Sequence, residues 1–122
     1  MNYKNSIQLS MAFLVSLFIF SSTKIVAQNP TTKTETFKVY GNCEMCQDKI
    51  EGALKRKEGV LKKNWDDNTK MLTVTFDPAK ITLTQIKQKI ADEGYDTDEI
   101  QATEAAYNNL EKCCQYKRAK TK

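Results

Sequence analysis

Four cysteines carry the chemistry this chain can do, and they stand as two local pairs, Cys43-Glu44-Met45-Cys46 and Cys113-Cys114. The first pair follows Gly41-Asn42, where an alternating stretch ends and a helical periodicity begins. A CxxC at such a strand-to-helix junction brings two sulfurs together at a helix start. Free N–H groups and the helix dipole there favour thiolate over thiol. Two thiolates suit a soft ion that accepts low coordination, above all Cu(I), with Hg(II) and Ag(I) as further guests. Cd(II) is a further guest on softness grounds, whereas structural Zn(II) takes four ligands, so two cysteines alone leave it short of donors. The same CxxC could also serve a thiol-disulfide oxidoreductase with Cys43 as nucleophile. The thioredoxin type, however, carries Trp-Cys-Gly-Pro-Cys, and Glu44-Met45 stands here instead.

The second pair leaves more open. Cys113-Cys114 could be a simple oxidised pair, strained and easily reduced. It could also form an independent soft-metal site or a dimer-linking disulfide. Alternatively the tail folds back and lends one or two thiolates to Cys43 and Cys46. Three or four sulfurs would readmit Zn(II) and Cd(II), or allow a small Cu(I) cluster. Near the first pair, Met45 reads as a loop or core-edge side chain more than a thioether ligand, and Trp65 as a packing residue.

Composition narrows the field. The chain has 122 residues, enough for one domain, and no His, which removes Ser-His-Asp triads, HExxH sites and Cys2His2 fingers. A net charge of +4 marks no nucleic-acid surface. Lys4, the apolar run Met11–Phe20 and a small residue at Ala27 give the layout of a secretory signal peptide. That run is about half the ~20 residues a bilayer span needs. Cleavage near Ala27 would take two lysines and no acids, leaving a net charge of +2. The mature protein is expected to be exported, free of the membrane, and periplasmic if its source is a double-membraned bacterium. Cysteine pairs in such a compartment oxidise unless a metal or a reductant protects them.

The elements that must position the sulfurs are legible from periodicity. Residues 28–33 read as a linker. Thr34–Tyr40 alternates as a strand with Phe37 and Val39 inward. From Cys46, Ile50, Ala53, Leu54 and Lys57 recur at helical spacing, up to Gly59 as a stop. Val60–Trp65 and Met71–Phe76 make a hairpin around Asp66-Asp67-Asn68-Thr69. Thr82 with Gln85 makes a capping box for a second helix whose stripe is Leu83, Ile86 and Ile90, ending at Gly94. A last, weakly patterned strand starts at Tyr95. The order is β-α-β-β-α-β, a ferredoxin-like α+β sandwich: a four-stranded antiparallel sheet with two helices on one face. Residues 34–100 form this domain, and 101–122 add a helix-permissive C-terminal extension.

Phe37–Cys46, this element order, and Glu93-Gly94-Tyr95-Asp96 before the last strand resemble heavy-metal-associated domains. That family includes copper chaperones, metal-binding domains of copper-transporting P-type ATPases, and periplasmic mercury-binding protein. The resemblance implies that Cys43 and Cys46 are the metal ligands. It also implies that Tyr95, in the loop beside the metal, screens the site without ligating it. The implied role is non-enzymatic: binding and transfer or sequestration of a soft ion. Implied partners are a donor or acceptor protein such as a transport ATPase or efflux component, with the chain a monomer or a metal-bridged dimer. A mercury-, zinc- or cadmium-binding resistance protein is the neighbouring alternative. One departure stands out. The family places Met-Thr or Met-Asp before the first Cys, and its Met fills the core beneath the loop. Gly41-Asn42 here leaves a gap that another residue, with Met45 as the candidate, must fill.

Overall fold

The computed structural model describes residues 31–119, so the expected leader over residues 1–27 lies outside the described part. Strand β1 (Lys33–Lys38) is followed by helix α1 (Glu44–Gly52), strands β2 (Val60–Asp66) and β3 (Met71–Phe76), and helix α2 (Leu83–Asp92). A short helix α3 (Glu104–Asn108) and a single 3-10 turn (Lys112–Cys114) complete the order.

The sheet runs β1-β3-β2, antiparallel throughout. Leu72 of the central strand stands opposite Phe37 on one side and Trp65 on the other. All three are buried, together with Val74 and Phe76. Alternation sends the intervening threonines to the opposite, exposed face, where Thr34 bonds Thr75 at 2.9 Å and Thr36 bonds Thr73 at 3.0 Å. The helices cover the apolar face with Ile50, Ile86 and Ile90, joined by Leu54 just beyond α1, each fully buried. At roughly 1.5–3 kcal/mol for each large apolar side chain buried, this layer supplies most of the driving force that holds the site loop in place.

The hairpin turn is local chemistry. Asp66 accepts from the amides of Asn68 and Thr69, both at 2.8 Å, and Lys70 takes the left-handed φ of 59° that closes the turn. The Thr69 amide is the main cause holding the Asp66 carboxyl below its ordinary pKa. Helix α2 starts on the expected capping box: Thr82 Oγ1 accepts from Gln85 N at 3.2 Å, and Gln85 Oε1 accepts from Thr82 N at 2.9 Å. Thr82→Ala should therefore cost about 1 kcal/mol in a denaturant titration, the usual worth of such a cap.

Two expectations need correction. The expected fourth strand is absent among the described residues, and its place is held by a single bridge between Val39 and Thr97. Tyr40 N reaches Asp96 O at 2.9 Å and Asp98 N reaches Lys38 O at 3.1 Å, and pairing stops there. The reason lies in Thr97. Its hydroxyl accepts from Ile100 N at 2.9 Å and its own N–H bonds Ile100 O at 2.8 Å, so the chain turns away from the sheet edge. Buried Lys87 of α2 secures this turn through Asp98 and Glu99, both at 3.0 Å. Helix α1 is also shorter than its apolar stripe suggests. It ends at Gly52, and Lys55 is extended. A 3-10 turn (Arg56–Glu58) then leads to Gly59, whose φ of 108° reverses the chain into β2.

Candidate metal centre

The centre is built where β1 runs out. Cys43 is extended at the N-cap position of α1, and its carbonyl accepts from Cys46 N at 2.9 Å and Gln47 N at 3.2 Å. That first turn brings Cys43 Sγ within 3.8 Å of Cys46 Sγ. Asn42 N points at Cys46 Sγ, 3.4 Å away, so one loop amide faces the inner sulfur. Cys43 is half-buried and Cys46 is fully buried.

The gap expected above Gly41 is filled by Trp65, and Met45 does not enter it. A Cβ on Gly41 would stand 3.0 Å from the Trp65 ring and 3.2 Å from Cys46 Cβ. The indole is 1% exposed and donates to Val39 O at 3.0 Å, while Met45 is 44% exposed. The Trp65 amide in turn donates to Glu51 of α1 at 2.9 Å, tying hairpin to helix. A large side chain from the hairpin thus supports the loop in place of one from the loop itself.

The tail returns to the site. Cys114 is fully buried, and its Sγ lies with those of Cys43 and Cys46 in a group whose sulfurs are all within 4.8 Å of one another. With metal–sulfur bonds of about 2.3 Å, ligands 120° apart stand about 4 Å from each other and opposed ligands about 4.6 Å. The three sulfurs are spaced for one ion. Cys113 does not join them; it is exposed, and all four cysteines are free thiols.

An aromatic and ionic clamp holds Cys114 in place. Tyr116, two residues on, is buried, donates to Gly94 O at 2.9 Å and accepts from Asp96 N at 2.7 Å. Its ring stacks on Tyr95 at 6.0 Å between centroids and meets Tyr107 edge-on at 5.2 Å. Arg118 forks onto both oxygens of Asp96, at 2.7 and 2.9 Å, and reaches Glu104 at 2.7 Å. The Asp96 bond chiefly raises the Arg118 pKa further, and burial chiefly raises that of the Tyr116 phenol.

Tyr95 is fully buried, with the Cys46 and Cys114 thiols among its neighbours. Burial pushes its phenol far up, and the neighbouring Cys114 and Cys46 thiols add to the shift. Its hydroxyl has no hydrogen-bond partner. A buried, neutral O–H facing thiols is a donor waiting for a better acceptor, which a metal-bound thiolate would be.

A βαββα frame with a cysteine cluster at the loop into its first helix defines a class of soft-metal-binding domains. The chain belongs to that class by sequence as well: the heavy-metal-associated domain model matches residues 36–96. The chain is similar to a zinc-transporting ATPase of Synechocystis, 38% identical over 71 residues, which are 57% of this chain and 10% of that protein. It spans only a small part of that relative. It is also similar to a mercuric transport protein periplasmic component of Shewanella putrefaciens, 33% identical over 67% of this chain and 88% of that one. Among solved structures, a copper-binding domain from HMA7, a P-type ATPase, is 29% identical with a TM-score of 0.51, covering 53% of this chain and 89% of that one. Family membership gives the domain a metal-binding role and not a catalytic one. Among the described residues, no helix is long and apolar enough to cross a membrane.

Sequence reasoning left the part played by Cys114 undecided and missed the clamp of Asp96, Tyr116 and Arg118. No local pattern marks those residues, although Asp96 directly follows Tyr95.

Proposed function

We propose that the protein is exported, binds Cu(I) through Cys43 and Cys46 with Cys114 as third thiolate, and passes the ion to or holds it from a partner. The observation that carries this reading is the convergence of three sulfurs within 4.8 Å in a chain without histidine. An all-sulfur, three-coordinate set suits Cu(I), with Ag(I) and Hg(II) close in softness. Zn(II) and Cd(II) would lack a fourth protein ligand at this centre. Relatives named for zinc and mercury and a neighbour named for copper agree with a thiophilic cargo.

Transfer follows from the unequal burial of the sulfurs. Cys43 is the accessible member of the trio, so an incoming partner thiolate meets the ion on that side. It bonds the metal as one of the three original sulfurs leaves, and coordination never falls below two. The Tyr95 hydroxyl steadies the buried sulfurs during the exchange without ligating the ion. A transport ATPase or an efflux component is the fitting partner, given the ATPase relatives. Export is supported by the leader-like residues 1–27 and by a relative named as periplasmic. The working unit is a monomer, with a metal-bridged dimer as the alternative assembly.

Anaerobic Cu(I) titration against bathocuproine disulfonate tests the reading. The protein should retain Cu(I) against the chelator, and Cys114→Ser should weaken binding by at least about tenfold, or 1.4 kcal/mol. Unchanged affinity in Cys114→Ser would reduce the centre to Cys43 and Cys46.

A further inference from the structure

Cys113 and Met45 have no part in the three-sulfur centre, yet they meet each other at its rim. Cys113 Sγ lies 3.7 Å from Met45 Sδ and 4.0 Å from Cys114 Sγ. We propose that Cys113, Met45 and Cys114 hold a second soft cation, with the Cys114 sulfur bridging it to the ion at Cys43 and Cys46. The proposal rests on the reading that Cys43 and Cys46 bind Cu(I), and it makes the full centre a two-copper cluster of four thiolates and one thioether.

The local geometry explains why adjacent cysteines serve two ions. They lie in the 3-10 turn Lys112–Cys114, where successive side chains point about 120° apart because the turn has three residues. Cys114 therefore points into the core, fully buried, while Cys113 points out along the surface. Two contacts hold this turn over the CxxC loop. Asn42 Nδ2 donates to Cys113 O at 3.3 Å, and Lys49 pairs with Glu111 at 3.5 Å. The thiol of Cys113 is thus aimed at Met45, the middle of the CxxC loop.

Met45 itself is the independent observation. It is the large hydrophobic side chain left exposed among the described residues, at 44%. Burial would be available beneath the loop, but Trp65 occupies that space. An exposed thioether resting against an exposed thiol stabilises the fold little. Cys113 Sγ stands 3.7 Å from the Met45 thioether and 4.0 Å from Cys114 Sγ, each near the ~4 Å between two sulfurs that share one ion. Thioethers favour soft ions over harder divalent ones such as Zn(II), so the second position selects Cu(I), or Ag(I) and Hg(II) of like softness. Loading is balanced: four thiols release four protons to solvent, and two Cu(I) against four thiolates leave a cluster of charge −2. No electron is exchanged.

The test is anaerobic titration of the protein with Cu(I) in the presence of bathocuproine disulfonate, read by native mass spectrometry and copper X-ray absorption. Two ions per single chain are expected, with a copper–copper scattering shell at saturation. The surface variant Cys113→Ser with Met45→Leu should bind one ion with the first-site affinity kept and the copper–copper shell gone. Saturation of the wild-type protein at one ion overturns the proposal. So does two-ion binding that the variant retains, or a second ion found only in a chain dimer. Failure of the underlying reading looks different: Cys43→Ser with Cys46→Ser would then bind Cu(I) as tightly as wild type.

Discussion

Replacing Cys43 and Cys46 together by Ser is expected to lower Cu(I) affinity at the three-sulfur centre by at least about a thousandfold, or 4.1 kcal/mol, while the fold survives. The two sulfurs stand 3.8 Å apart and face the same space as Cys114. Removing both leaves Cys114, fully buried, as the sole member of that trio, and a hydroxyl is a poor donor for a soft ion. Serine keeps an acceptor at position 46 for the amide of Asn42, which now points at the sulfur from 3.4 Å, so the loop loses little. Far-UV circular dichroism and Trp65 fluorescence check the fold, and competition against bathocuproine disulfonate measures the affinity. Unchanged uptake would remove the CxxC from the account altogether. A separate assay addresses the redox alternative. Insulin reduction by dithiothreitol should proceed at its background rate with the wild-type protein, as expected of a metal-binding domain.

The largest stability effect should come from Trp65. Trp65→Ala is expected to destabilise the protein by about 3–5 kcal/mol, the range for losing a large aromatic side chain from a packed core. The indole is 1% exposed, bonds Val39 O at 3.0 Å, and fills the space over Gly41 beneath the site loop. The converse substitution, Gly41→Met, introduces the residue the family commonly has there. Its Cβ would press to 3.0 Å from the indole, so with Trp65 in place it should cost about 1–3 kcal/mol by overpacking. In the Trp65→Ala background the same methionine enters the vacated space and should restore part of the loss. Urea denaturation of the four proteins gives the coupling. Additive costs would mean that Trp65 and the missing methionine do not share one volume. Because the loop carrying Cys43 rests on this ring, Trp65→Ala should also weaken Cu(I) retention.

Most of the frame was legible because its signals are local. Alternation marked Phe37 and Val39 as inward, the Asp-Asp-Asn-Thr run marked the hairpin turn, and Thr82 with Gln85 marked the start of α2. Where local rules compete, the reading went astray. Val39 and Thr97 do pair, but the Thr97 side chain captures its own downstream backbone and ends the edge strand after one bridge. The apolar stripe through Leu54 and Lys57 keeps helical spacing, while the backbone leaves the helix after Gly52. Leu54 stays fully buried all the same, since a core position asks for burial and not for a helix.

By itself the sequence determined the chemistry available: two cysteines one helical turn apart, a soft donor set, and no imidazole anywhere. Spacing of three residues at a helix start brings sulfurs together whatever the rest of the chain does. Only the tertiary structure decided how many sulfurs reach the site. Cys113 and Cys114 are chemically alike, and it is the Asp96–Arg118 fork, the Tyr116 hydroxyl and the 3-10 turn that bury one and expose the other. Those contacts join residues distant along the chain, so no local pattern could reveal them. Trp65 beneath Gly41 belongs to the same kind, a fit between two segments that exists only once both are packed.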